Sequence, residues 1–256
     1  MSDIASELIR HQGLFYQAFI GHLARILPAR NYFEIGTAAG DSLAAIDCPA
    51  IAVDPLFQIA RNVVGRKPAC HFFQMTSDAF FEKIDPKAYF GQPIDLAFLD
   101  GLHLFECVLR DFINTERHCT KDSVILLHDC LPPTFEMTCR QSIGEAGNET
   151  GARGHPDYLG YWTGDVWKMA TALREYRPDL RLLHIDAPPT GLLLCTGLDP
   201  NSSLLLDRYE EITRKYMPSD EDQDRLKQFY GSVALTGTAA LMTRSDLMAH
   251  LGRAAP

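Results

Sequence analysis

Apolar positions follow two rhythms along the chain. Short, near-continuous apolar runs at Tyr32 to Ile35, Ala50 to Val53, His71 to Met75, Ile94 to Leu99 and Ser123 to Leu127 alternate with stretches whose apolar residues recur every three or four positions. Unbroken apolar runs mark strands covered on both faces, and the longer period marks amphipathic helices, so the pattern predicts a parallel sheet with helices on both sides. Two further runs, Arg181 to Ile185 and Gly191 to Cys195, are separated by the turn Asp186 to Thr190. They read as a hairpin, which sets one strand antiparallel to its neighbours.

The flanks read differently. Ile4, Leu8, Ile9, Phe15, Phe19, Ile20, Leu23 and Leu27 stand at helical spacing before Pro28, which stops a helix. Gln58 to Arg66 also reads as helix, and Trp162 to Tyr176 as a helix capped by Thr163 or Asp165. Between Thr134 and Tyr161 periodicity lapses, the signature of a functional lid more than of a connector. Beyond Asp199-Pro200, Ser203 to Tyr216 and Glu221 to Phe229 are charged and helical, followed by a small-residue tail. The expected architecture is α/β and doubly wound: a lead-in over 1–30, a seven-stranded, mostly parallel sheet with a C-terminal antiparallel hairpin over 31–200, a lid at 134–161, and a helical extension over 201–256.

The strand ends concentrate the chemistry. The first strand runs into Glu34-Ile35-Gly36-Thr37-Ala38-Ala39-Gly40, with Asp41 or Ser42 able to cap the next helix. The second ends at Asp54-Pro55, the third at Thr76-Ser77-Asp78, the fourth at Asp100-Gly101-Leu102-His103, and the fifth at His128-Asp129. In open parallel sheets this rim is where ligands bind. Each residue also has a plain structural reading: Ser77, Asp78 and Asp100 as helix caps, and His128 and Asp129 as anchors of the Pro132-Pro133 loop.

Composition narrows the partners. Of the 256 residues 46% are hydrophobic, enough for a sizeable core, and the formal net charge of -9 with no basic run argues against nucleic acid or an anionic membrane surface. Seven cysteines without C-x-x-C spacing fit reduced thiols in a cytoplasmic protein. The first residues lack the order of a signal peptide, and no apolar run reaches membrane length. The amphipathic lead-in and tail are surfaces for a homodimer.

Strands alternating with helices, an acid in the first turn, an acid after the second strand and a closing hairpin together resemble class I S-adenosylmethionine-dependent methyltransferases, whose fold is Rossmann-like. The resemblance implies that Glu34, Gly36 and Gly40 contact the methionine part of the cofactor and Asp54 the ribose; Thr37, Ser42 and Asp100 are further cofactor-binding candidates, and Ser77 and Asp78 are placed to face the adenine edge. The family's middle glycine is Ala38 here. LDGLHLFECVLRDF followed by VILLHDCLPP further resembles the branch that methylates hydroxyls of sugars, macrolides and cephalosporins. That likeness implies a divalent cation, Mg²⁺, held by Asp100, His128 and Asp129, with His103 or His128 as general base.

Such chemistry suits these residue types. The sulfonium is already an activated methyl donor, so the protein has to align a hydroxyl with it and accept a proton. Carboxylates offer the hard oxygens Mg²⁺ prefers, and histidine titrates near neutrality. The expected activity is O-methylation of a hydroxylated small molecule. The competing readings are a nicotinamide-dependent oxidoreductase, which lacks its G-x-G-x-x-G here, and a non-catalytic binding module of the same fold. Asp165, Lys168 and His155 are further candidates to line an acceptor pocket.

Overall fold

A computed structural model describes residues 7–140, 156–158, 161–218 and 222–252. The elements in order are α1 (Tyr16–Ile26), β1 (Tyr32–Ile35), α2 (Asp41–Ala44), β2 (Ala50–Val53), β3 (Cys70–Phe73), α3 (Ser77–Lys83), α4 (Pro86–Phe90), β4 (Ile94–Leu99), α5 (Phe105–Glu116) and β5 (Cys119–His128). They continue with α6 (Lys168–Tyr176), β6 (Arg181–Asp186), β7 (Leu192–Thr196), α7 (Leu204–Asp207), α8 (Tyr209–Tyr216), α9 (Asp222–Ser232), β8 (Leu235–Gly237) and α10 (Arg244–His250). The sheet has the strand order β3-β2-β1-β4-β5-β7-β6-β8. β7 pairs antiparallel with both β5 and β6, and the remaining pairings are parallel.

Period-two alternation divides the core between the two faces of this sheet. Phe33, Ile35, Ile51, Val53, Ala97, Leu99, Ile125 and Leu127 pack under α5, α6, α8 and α9. Tyr32, Ala50, Ala52, Leu96, Phe98, Val124 and Leu126 pack under α1, α2 and α10. Glu34, two residues after Tyr32, therefore points to the α1 side although it is a carboxylate with no exposed surface. The seven cysteines are all free thiols, and among the described residues no helix is long and apolar enough to cross a membrane.

Several local expectations are corrected. The sheet has eight strands rather than seven, because Leu235–Gly237 adds to β6 from within the expected tail. The expected helical extension thus joins the main sheet through β8, and α10 closes the α1 face through Leu247, with Leu241 and Leu251 beside it. Ser203 to Tyr216 breaks at Arg208 into α7 and α8. Gln58 to Arg66 is not helical: Gln58 N–H donates to the Ala38 carbonyl, Gly65 takes a positive φ, and Val63 seats against Gly40. Tertiary anchoring to the β1 turn outweighs a weak helical pattern.

The lead-in begins its helix only at Tyr16. Before it the chain is an irregular strap, fixed by Leu8 N–H to Pro133, by His11 between Asp186 and the Leu131 carbonyl, and by Gly13 pressed on the Asp186 carbonyl. Helix caps differ as well. Left-handed Gly40, not Asp41 or Ser42, precedes α2, and Trp167 rather than Thr163 or Asp165 precedes α6. The expected lid at 134–161 falls mostly outside the described residues, and so does His155.

Candidate active site

Three turns meet at the carboxyl ends of β1, β4 and β5. Gly36 takes φ 85° and Gly40 φ 81°, the left-handed region that glycine enters at little cost. Gly36 is further constrained, since a β-carbon there would lie 1.8 Å from the Asp100 carbonyl oxygen. Ala38, in the place of the family's middle glycine, also has a left-handed φ of 42°. Its N–H donates to Asp54 Oδ2 at 2.8 Å, and Asp54 Oδ1 accepts from Leu56 N–H at 2.7 Å. Asp54 thereby locks the β1 turn to the end of β2, holding Ala38 in a conformation that costs a non-glycine residue about 1–2 kcal/mol.

Glu34 lies beneath this turn. Tyr32 Oη donates to its Oε2, and the Ser42 and Thr37 hydroxyls lie close enough to lower its pKa, but neither Oε1 nor the Thr37 hydroxyl makes a well-aligned hydrogen bond among the described residues. Burial pushes the Glu34 pKa up to about 7, with the Tyr32 hydroxyl the largest opposing influence. An unmet buried carboxylate oxygen is a standing place for a donor or a cation.

At the next two strand ends, one atom each from Asp100, His103 and Asp129 converges within 4.8 Å. His103 Nδ1–H donates to the Trp162 carbonyl at 2.7 Å, which leaves Nε2 facing Asp100 Oδ1 at 3.3 Å. Asp129 Oδ2, 3.1 Å from His103 Nδ1, accepts no hydrogen bond among the described residues. Asp129 adopts φ 58°, so that it and His128 both turn toward the cluster instead of to opposite faces of β5. Burial alone would lower the His103 pKa, but Asp129 and Asp100 outweigh it and hold it at about 9. The site thus favours positive charge among its carboxylates.

His128 occupies a different position. Nδ1–H donates to Asp100 Oδ1 at 3.1 Å, Nε2 sits 3.3 Å from Thr190 Oγ1, and Asp100 and Asp129 overcome burial to raise its pKa to about 10. With both ring nitrogens engaged, it acts as a brace for Asp100, and the convergent set contains His103 in its place. The donor set of two carboxylates and one imidazole, with an unmet carboxylate oxygen, fits a six-coordinate divalent cation such as Mg²⁺ or Mn²⁺.

Ser42 is buried beside Glu34, and the third strand end is engaged in contacts of its own. Thr76 caps α3, Asp78 is paired with Arg110 at 3.0 Å, and Ser77 adjoins buried Asp111. Asp165 and Lys168 are internal supports. Asp165 Oδ1 accepts from Phe105 N–H, capping α5 from a distance, and Lys168 pairs with Asp222 at 2.7 Å.

Two contributors lie outside the strand-end motifs; sequence reasoning misses the first and, in the second, flags Asp165 but not the segment's contact with His103. The Tyr16 ring lies 4.0 Å from the His128 ring and stacks on Phe98 at 5.8 Å, and its phenol is raised above its ordinary value by burial and then by Asp100, Asp129 and Glu34. It belongs to both halves of the site, but in the sequence it is one more aromatic on a helix. The second is the Trp162-Thr163-Gly164-Asp165 segment, which wraps His103: Trp162 stacks on its ring at 5.0 Å, and Gly164 abuts its carbonyl. The two tryptophans framing a polar group were the available signal.

Residues 33–130, from the donor turn through His128-Asp129, match the family model described as a methyltransferase domain, in agreement with the resemblance drawn from the strand ends. No curated protein matches the chain. Among solved structures it is similar to the O-methyltransferase from Bacillus cereus in complex with SAH, at 17% identity over 70% of this chain and 79% of that one, TM-score 0.49. It is also similar to an SAH-bound methyltransferase of Podospora anserina, at 13% identity over 72% and 78%, TM-score 0.49. A third is the O-methyltransferase TomG from Streptomyces achromogenes, at 18% identity over 70% and 78%, TM-score 0.46.

Proposed function

We propose that the chain is an S-adenosylmethionine-dependent O-methyltransferase acting on a hydroxylated small molecule, with a divalent cation beside the acceptor. The observation that carries this reading is the abutment of two half-sites. The Gly36 turn, with the unmet Glu34 oxygen beneath it, touches the Asp100 carbonyl, and Asp100 is itself part of the Asp100, His103 and Asp129 cluster. The methyltransferase-domain match spans both halves.

Each residue then has a task. The Gly36 to Gly40 turn admits the cofactor's methionine end to the backbone, and Glu34 Oε1 receives its ammonium group. Asp54 keeps the turn in place through Ala38 N–H, with lone pairs left for the ribose hydroxyls. When bound, S-adenosylmethionine supplies an activated methyl group, and a cation held by Asp100, His103 and Asp129 would stabilise developing negative charge on the acceptor oxygen. Trp162 fixes the His103 tautomer, and His128 fixes Asp100. Without a cation His103 is held protonated up to about pH 9 and its Nδ1 is committed to Trp162, so it would serve as general base only through the Nε2 of its neutral form, above that pH. The free thiols of the chain suit a reducing, cytoplasmic setting.

Calorimetric titration with S-adenosylhomocysteine tests the donor half: micromolar binding is expected, and no detectable binding would overturn the proposal. Mn²⁺ binding followed by electron paramagnetic resonance tests the acceptor half. Loss of that binding in Asp129→Asn, with S-adenosylhomocysteine binding retained, is the expected result; Mn²⁺ affinity unchanged by the substitution would sink the cation assignment. NADH fluorescence enhancement on binding would favour the oxidoreductase reading instead.

A further inference from the structure

The first helix reaches the junction of the two half-sites with one side chain. On the α1 face of the sheet, Glu34 of β1 is the register partner of Phe98 of β4, and His128, at the end of β5, donates to Asp100. Tyr16 spans these two pairs. Its ring stacks on Phe98 with centroids 5.8 Å apart and lies 4.0 Å from the ring of His128. A single ring therefore touches the strand neighbour of the donor carboxylate and the brace of the cation cluster.

Backbone and core hold Tyr16 in this place, and its hydroxyl takes no part in doing so. Its N–H donates to the Pro188 carbonyl at 3.0 Å, and Phe19, Ile20 and Leu23 of the same helix are buried. The half-buried side chain makes no hydrogen bond through its hydroxyl among the described residues. Burial, then Asp100, Asp129 and Glu34, hold the phenol above its ordinary pKa, so it stays a neutral hydroxyl within electrostatic reach of three carboxylates. Its lone pairs are free to face a positively charged group.

S-adenosylmethionine brings such a group to this junction. Glu34 receives its ammonium group and Asp100, His103 and Asp129 surround the acceptor oxygen, so the sulfonium and its methyl, which connect the two, lie between the half-sites. The hydrogens of that methyl are electron-poor and make weak C–H···O contacts with oxygen lone pairs.

On the proposed reading of the site, we infer that Tyr16 is a cofactor-contacting residue, its hydroxyl oxygen facing the sulfonium methyl between the donor turn and the cation cluster. It stands outside the span matched to a methyltransferase domain. The strap before α1 then has a task as well: His11 on Asp186 and Gly13 against the Asp186 carbonyl fix where α1 begins, and so where Tyr16 stands.

The test compares S-adenosylmethionine with S-adenosylhomocysteine, which lacks both the methyl group and the positive charge, by calorimetric titration of the full chain. Tyr16→Phe keeps the ring on His128 and Phe98 and removes only the hydroxyl. S-adenosylmethionine binding is expected to weaken about three- to fivefold in this variant, while S-adenosylhomocysteine binding changes by less than about twofold. Unchanged affinity for S-adenosylmethionine overturns the inference. So does an equal loss for both ligands, which is what a merely structural role would give. Failure of the wild type to bind S-adenosylhomocysteine is a different result: it removes the reading of the site, and the role of Tyr16 with it. Should Tyr16→Phe not fold, the wild type with ¹³C-methyl S-adenosylmethionine decides. A nuclear Overhauser cross-peak between the methyl and the Tyr16 ring is expected, and its absence would sink the assignment.

Discussion

Gly36 and Asp100 touch through their backbones: a β-carbon on Gly36 would stand 1.8 Å from the Asp100 carbonyl oxygen. The donor turn of β1 and the acidic end of β4 are therefore one packed unit, joined also by Asp100 N–H donating to the Ile35 carbonyl at 2.9 Å.

Gly36→Ala should be among the most damaging single-methyl changes in the chain. The substitution forces an L side chain to φ 85° and a methyl group into a backbone carbonyl, with no flexible side chain to give way. A loss of about 2–4 kcal/mol is expected in urea unfolding, from strain and displacement together. A loss below half a kilocalorie would show that the two turns separate easily.

Glu34 should release a proton when the cofactor binds. Burial holds its pKa at about 7, so near that pH a substantial fraction is protonated, and an ammonium group at Oε1 favours the carboxylate. Titration of S-adenosylhomocysteine at pH 6.5 in buffers of different ionisation enthalpy should reveal proton release that Glu34→Gln abolishes. Because the folded pKa lies above the unfolded value, Glu34 favours the fold fully below about pH 4.5 and loses that contribution as pH rises through 7. The amount is about 3 kcal/mol by linkage.

His184 titrates with the opposite sign. Burial, then Arg174, lowers its pKa to about 4, and its Nε2 has no hydrogen bond among the described residues. The folded state keeps it neutral while the unfolded chain protonates below about 6.5, so stability falls as pH drops from 6.5 toward 4, by about 3 kcal/mol. Glu34 and Asp111, both held near 7, act in the other direction. The observable is therefore the difference between wild type and His184→Phe in chemical denaturation at pH 7 and pH 5. An unchanged difference between the two pH values would refute the assignment.

Gly164→Ala should act on the cluster from outside it. Gly164 has φ 54°, and a β-carbon there would fall 1.7 Å from the His103 carbonyl oxygen, so the methyl displaces the residue whose ring Trp162 orients. Mn²⁺ affinity is expected to drop about 10- to 100-fold, as for other losses of ligand support, while S-adenosylhomocysteine binding is retained. Equal loss of both would indicate general unfolding rather than displacement of His103.

The sequence by itself determined the alternation of strands and helices, the hairpin that reverses β7, and the rim of strand-end acids at Glu34, Asp54, Asp100 and Asp129. These are legible because burial on both faces demands unbroken apolar runs, and because a polar residue ending such a run has to lie at an edge. Choosing between His103 and His128 required the tertiary structure. Each stands at or just past a strand end, but only in three dimensions does Trp162 engage one nitrogen of His103 and leave the other facing Asp100, while Thr190 and Asp100 engage both nitrogens of His128. The same holds for Tyr16, for the strap before it, and for β8 in the tail. Their positions follow from contacts distant in sequence, more than a hundred places for His128 on Tyr16 and Asp186 on His11 and about fifty for β6 on β8, which no local periodicity records.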